Sequence, residues 1–347
     1  MNRKTAFFSF FIVFLLFIVT EAILRIRENL KNKAELEYAQ APYFVPHHFL
    51  NYELNPKSLY HNSLGFRGQD ILKHKEDGVY RIFCLGGSSV YGSKVAWNKS
   101  YPYFLNEILK EDFPNRRFEV INAGVPGYTS ANLFIQFQFK ILPLSPDMII
   151  IYSGFNDIFP RLMGIDSPDY SSFNKTWQEV SVFRKILFSS LVCQKTVGRI
   201  GERLKLSFLT WPPHLHQLIQ VRPYQYYLKD YKKNLAVTSS QIFERNILSL
   251  IQLAKANNVD VLLVTQALAP AKKRDALYEA LGEGVRQHNS VMVRLAEREQ
   301  IPLIELDRLF PPHEDMFCDD IHMSAKGNQL RAKIISEKIA QIINSNN

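Results

Sequence analysis

The chain has little cysteine: three residues in 347, Cys84, Cys193 and Cys318, too few for a disulfide framework and with no pair at metal-ligand spacing. Their ordinary reading is as free or buried thiols. A Cys84–Cys318 bridge stays open only if both reach one edge of a sheet. Histidine gives no zinc signal either, because His47-His48 and His214-x-His216 lack acidic or cysteine partners at useful spacing. A Walker-type phosphate loop is also missing. Gly87 and Gly92 have its glycine spacing, but Ser93 stands where the lysine belongs and Lys94 comes one position late. The net charge of +9 is accompanied by no recognisable nucleic-acid motif, so it suits an anionic membrane surface or an acidic polysaccharide better than nucleic acid. No metal, no cofactor and no nucleic-acid partner is expected.

Charge is absent from Ala6 to Val19, a run rich in Phe, Ile, Leu and Val that Glu21 interrupts before Ala22-Ile23-Leu24. At about 1.5 Å per residue, Ala6 to Leu24 spans roughly 28 Å, close to the ~30 Å hydrocarbon core of a bilayer. No small-x-small cleavage site follows, and the chain continues as a charged helix from Arg25 to Glu37. The expectation is an uncleaved single-pass anchor over residues 1–25, with a juxtamembrane helix and linker over 26–60. Orientation is less determined: Arg3 and Lys4 precede the run while Arg25, Arg27, Lys31 and Lys33 follow it, so the positive-inside rule does not favour an exported domain.

Beyond the linker, an apolar strand with Ile82, Phe83 and Leu85 runs into Gly86-Gly87-Ser88-Ser89. Glycines there allow a tight turn that lifts the Ser88 hydroxyl to the top of a sheet, and a helix starting at that point would aim unpaired N–H groups at the same spot. Such turns also bind phosphate or simply connect elements. Three further blocks weigh toward chemistry. Val120-Ile121-Asn122-Ala123-Gly124-Val125-Pro126-Gly127 and Met148 to Asp157, ending Gly154-Phe155-Asn156-Asp157, are strands that end in polar turns. Far downstream, Asp319 and His322 are three residues apart, which on a helical turn lets the carboxylate hold one imidazole nitrogen. Asp320 should point elsewhere, and Ser89, one residue into the helix, is the rival nucleophile.

Apolar runs recur at Val259 to Thr265 and Ile301 to Leu306, and amphipathic helical patterns occupy Phe243 to Ala256 and Gly284 to Glu299. Alternating strands and helices argue for a parallel sheet with helices on both faces. In such a sheet the C-terminal strand ends share one edge, and the four turn blocks would meet there. Backbone N–H groups of Ser88 and Gly127 and the amide of Asn156 would then serve as oxyanion donors. The bland alternatives are Gly127 as a turn former and Asn156 as a helix cap with Asp157 in the first turn.

Four blocks carrying Ser88, Gly127, Asn156 and His322, with Asp319 in an Asp-x-x-His pair, resemble the SGNH, or GDSL-type, hydrolase family. Asn62-Ser63-Leu64-Gly65-Phe66-Arg67-Gly68 is similar to a lead-in of bacterial members. The resemblance implies a three-layer α/β/α sandwich with a parallel, flavodoxin-like five-stranded sheet over residues 61–347. It also implies serine esterase or acyl hydrolase chemistry, with Ser88 as nucleophile, His322 as base, Asp319 as its orienter and Ser88, Gly127 and Asn156 as the oxyanion hole. Gly87 departs from the usual Gly-Asp-Ser. The substrate would be an ester-bearing small molecule, lipid or glycan, met by a domain outside the cytoplasm as in anchored members. An O-acyltransferase acting on a cell-surface glycan, or a glycan-binding scaffold without turnover, are the alternatives. A long insert at about 159–231, with Trp177, Trp211 and the run Arg222 to Tyr227, reads as a lid or specificity region, or equally as a packed amphipathic helix.

Overall fold

The computed structural model describes residues 3–30, 43–164, 230–270, 276–311 and 313–345, with short pieces at 170, 177–179, 190, 192–193, 196 and 219–221. These residues fall into two compact units, Met1–Pro46 with Thr176–Arg222, and His47–Lys175 with Pro223–Asn347. In the first unit the helix α1 (Arg3–Leu30) contains the apolar stretch Phe7–Arg27, with a mean hydropathy of 2.6, long enough to cross a membrane. The Glu21 carboxylate that interrupts it accepts hydrogen bonds from Arg25 Nε (2.8 Å), Ser190 Oγ (2.9 Å) and the Val192 N–H (3.0 Å). Trp177–Glu179 pairs antiparallel with Ile219–Val221. The helix expected to run on to Glu37 passes outside the described residues after Leu30, as do Trp211 and the run Arg222 to Tyr227.

In the second unit one sheet holds β1 (Val79–Gly86), β2 (Arg117–Asn122), β3 (Met148–Tyr152), β4 (Asp260–Val264) and β5 (Leu303–Ile304). Every neighbouring pair is parallel and the spatial order is β2-β1-β3-β4-β5, the flavodoxin-like arrangement. β5 is shorter than its apolar run because Leu306 already begins a helical turn.

Successive strand residues point to opposite faces, so β3, buried throughout, and β1, buried from Arg81 to Gly86, need cover on both. On one face Ile82, Cys84, Ile150 and Leu262 pack with Leu105 and Leu109 of α3 (Tyr101–Asp112) and with Ala332, Ile335 and Ile339 of α9 (Ala325–Ser345). The other face is covered by α4 (Ser130–Gln136), α7 (Gln241–Ala256) and α8 (Ala276–Glu299). In α7 the buried positions Phe243, Ile247, Leu250, Ile251 and Ala254 form one stripe, in which burial of each side chain larger than alanine is worth about 1.5–3 kcal/mol. Between these lie the short helices α2 (Ser88–Tyr91), α5 (Ile158–Leu162) and α6 (Tyr231–Val237).

The helix expected from Gly284 starts earlier, at Ala276. Gly284 is a contact point inside it: a Cβ there would fall 2.6 Å from Ile158 Cγ2, so the missing side chain lets α8 approach α5. All three cysteines are free, with Cys84 buried and Cys318 exposed, and no bridge joins them.

Candidate active site

Register brings the turns together: Gly86 lies opposite Tyr152 and Cys84 opposite Asn122, so β1, β2 and β3 end side by side. Beyond Gly86 the chain passes Gly87 and turns into α2, with Ser88 as its first residue. Facing it is the loop 317–323, closed by a bridge between Phe317 and Met323 and by the Cys318 N–H bonded to the His322 carbonyl at 2.7 Å. This loop is not the helical turn that the spacing of Asp319 and His322 suggests. Asp319 Oδ1 accepts the backbone N–H groups of Ile321 (3.1 Å) and His322 (2.8 Å), so the carboxylate itself folds the segment that presents the imidazole.

His322 Nδ1 lies 2.8 Å from both Asp319 oxygens, and its Nε2 lies 2.8 Å from Ser88 Oγ. An ionised carboxylate only accepts, so the network assigns the ring proton to Nδ1 and leaves Nε2 to accept the Ser88 hydroxyl. Partial burial works against the Asp319 charge, but the backbone and ring donors of His322 outweigh it and hold the carboxyl below its ordinary range. Lys94 Nζ stands 3.9 Å from Asp319 Oδ2 at the rim, and Asp320 is exposed.

Ser89 is a brace. It is only 9 % exposed, and its hydroxyl donates to the Ile321 carbonyl at 3.1 Å.

Asn156 and Asp157 do not cap a helix. The Asn156 Nδ2 donates to the Tyr128 carbonyl at 2.8 Å and presses on Gly87, where an added Cβ would fall 2.5 Å from that nitrogen. Asp157 holds the N-cap position of α5 without bonding to it. Its fully buried carboxylate accepts the Ser130 N–H (3.0 Å) and hydroxyl (2.5 Å) instead. Burial raises its pKa to about 6 against the pull of those donors.

Gly127 lies in the turn after β2, and its N–H has no backbone partner among the described residues. Two tyrosines hold that turn: the Tyr52 hydroxyl donates to the Pro126 carbonyl (2.7 Å), and the Tyr128 hydroxyl donates to the Tyr52 carbonyl (2.6 Å). The Gly154 turn is held from α8, where His288 Nδ1 lies 2.7 Å from the Gly154 carbonyl and Nε2 lies 3.1 Å from Arg161 Nη1. Burial pushes the His288 pKa down to about 3, so the ring is neutral and donates from Nδ1. Tyr52, Ser89 and His288 support the site without any spacing signal in the sequence. Beside Ser88 lies a small cleft lined by Gly87, Phe155, Asn156, Gln266 and Ile321 among the described residues.

Residues 84–330 match the model of the GDSL-like lipase/acylhydrolase family. The chain belongs to that family. This acylhydrolase acts on ester bonds. No curated protein matches it. Among solved structures it is similar to LAE5, an alpha/beta hydrolase enzyme from the metagenome of Lake Arreo in Spain, at 17 % identity over 75 % of this chain and 94 % of that one, with a TM-score of 0.46. A variant of Axe2, an acetyl xylan esterase from Geobacillus stearothermophilus, matches at 13 % identity over 77 % and 97 % of the two chains, with a TM-score of 0.46. The lipase/acylhydrolase from Enterococcus faecalis matches at 16 % identity over 75 % and 95 %, again with a TM-score of 0.46.

Proposed function

We propose that this acylhydrolase removes acyl groups from esters of a glycan or lipid at a membrane surface, with Ser88 as nucleophile. The observation that carries the reading is the unbroken line from Asp319 through His322 to Ser88, with 2.8 Å at each link. Ser88 Oγ attacks the ester carbonyl and passes its proton to His322 Nε2, while Asp319 holds the ring and stabilises the imidazolium. The Ser88 and Gly127 N–H groups and the Asn156 amide receive the oxyanion. His322 then protonates the leaving alcohol, and water activated by the same ring releases the acid.

In this reading α1 is an uncleaved anchor, and the outward placement of the catalytic domain rests on the resemblance to anchored members. Hydrolysis of p-nitrophenyl acetate and of longer-chain esters by the full-length protein tests it. The expected result is hydrolysis of at least one of these esters and a loss of at least about a thousandfold in Ser88→Ala. Full activity in Ser88→Ala would sink the assignment, and acyl groups appearing on an added glycan faster than free acid would redirect it to transfer.

A further inference from the structure

Arg331, on α9, is 0 % exposed. Its guanidinium lies over the rings of Tyr101 (4.0 Å to the centroid) and Tyr152 (4.8 Å). Nη2 donates to the Ser89 carbonyl (2.9 Å) and to Asn328 Oδ1 (2.7 Å), while Nε and Nη1 make no hydrogen bond of normal geometry among the described residues. No carboxylate forms an ion pair with it among the described residues. Removing a cation from water carries a large penalty, and two aromatic faces and a carbonyl offset only part of it. An apolar side chain of similar volume would fill the space without that penalty. The charge therefore needs a reason other than packing, and its position supplies one.

Ser89 follows Ser88 directly, and its hydroxyl holds the carbonyl of Ile321, the residue before His322. Tyr152 precedes the turn from Ser153 to Asn156. The guanidinium thus lies beneath the turn of the serine and, through Ser89 and Tyr152, against both other pieces of the site. We propose that Arg331 is a positioning residue whose buried positive charge, set under the Ser88 turn, stabilises the anion formed during acyl transfer.

The inference rests on Ser88 being the nucleophile. As Ser88 Oγ bonds to the carbonyl carbon, the C=O electron pair moves onto oxygen and the hydroxyl proton goes to His322 Nε2. Asp319 pairs the new imidazolium. The oxyanion meets neutral donors only, so a whole positive charge behind them lowers its energy, and in a poorly polarisable interior that charge acts over several ångström.

Asn328→Asp is the sharpest test. Asn328 is 1 % exposed, and an acid in its place puts a carboxylate against the guanidinium and leaves the bond to Ser89 intact, at the loss of the 3.3 Å bond that Asn328 Nδ2 donates to the Met323 carbonyl. Neutralised in this way, the protein should stay folded and keep its KM. Its kcat should fall about tenfold, the scale of one charge acting at an effective dielectric constant of about 20. Labelling of Ser88 by a fluorophosphonate should slow in step. Arg331→Met should lose at least as much, and Arg331→Lys, which keeps the charge, should recover a good part of it. Wild-type kcat in Asn328→Asp, or an Arg331→Lys as impaired as a folded Arg331→Met, would overturn the inference. If Arg331→Met does not fold, Asn328→Asp decides by comparison with Asn328→Ala, which loses the Met323 bond without adding a charge and should keep a kcat well above that of Asn328→Asp; equal losses in the two would overturn the inference. Ser88→Ala in the same assay separates this failure from that of the underlying reading: hydrolysis that survives Ser88→Ala removes the nucleophile itself.

Discussion

The Ser89 hydroxyl donates to the Ile321 carbonyl across 3.1 Å, tying the turn that carries Ser88 to the loop that carries His322. The 2.8 Å contact between Ser88 and His322 is thus flanked by a bond from a neighbour that takes no part in the proton transfer.

Ser89→Ala should lower kcat about tenfold while costing about 1 kcal/mol of stability, the usual net worth of one buried hydrogen bond. Steady-state kinetics and urea unfolding on the same preparation check both numbers. An unchanged kcat would show that the loop holds its position without the brace.

Asp319→Asn should be more severe than its small change in shape suggests. The loop is folded by Asp319 Oδ1, which accepts two backbone N–H groups, and an amide oxygen can still do this. What the amide cannot do is stabilise an imidazolium, so kcat should fall by roughly a thousandfold or more with the fold retained. Far-UV circular dichroism beside the kinetics separates the two functions.

Gly87→Ala should displace Asn156, because the new Cβ would fall 2.5 Å from its amide nitrogen. Loss of one oxyanion donor is worth about a hundredfold to a thousandfold in kcat. If this is the route, Gly87→Ala combined with Asn156→Ala should be no slower than Asn156→Ala alone. Additive losses in that cycle would point to a separate effect of the alanine on Ser88.

Asp157 gives the fold a pH dependence of known sign. Its pKa of about 6 in the folded protein lies above the 3.8 of the free side chain, so the native state holds the proton more tightly. That contribution is fully present below pH 3.8 and is lost as pH rises through about 6. Roughly two pH units at ~1.4 kcal/mol each make this about 3 kcal/mol. Relative to Asp157→Asn, the wild type should become less stable by that order between pH 4 and pH 7 in urea unfolding. A constant difference across the range would refute the buried, proton-holding carboxyl.

Much of this is legible in the sequence because each signal is local. Apolar runs that end in Gly87-Ser88, Gly127 and Asn156 announce strands and their turns, and parallel strands must end on one edge. The Asp319–His322 spacing picks out two side chains that do meet, at 2.8 Å, but the helical periodicity it evokes is absent and the carboxylate shapes the loop instead. Gly284 reads as a helix start because glycine is a poor helix former, yet it is spent on the close approach of α8 to Ile158. Arg331 leaves no trace at all. In a helix with Lys326, Lys333 and Lys338 it looks like one more solvated cation, and only the distant Tyr101, Tyr152 and Ser89 make it a buried one.

The close approach of Asn156 to Gly87 also couples two segments far apart in the chain. Any side chain at position 87, aspartate included, has to share its space with the amide of the turn after β3, so the orientation of Asn156 is set in part by what the first turn leaves out.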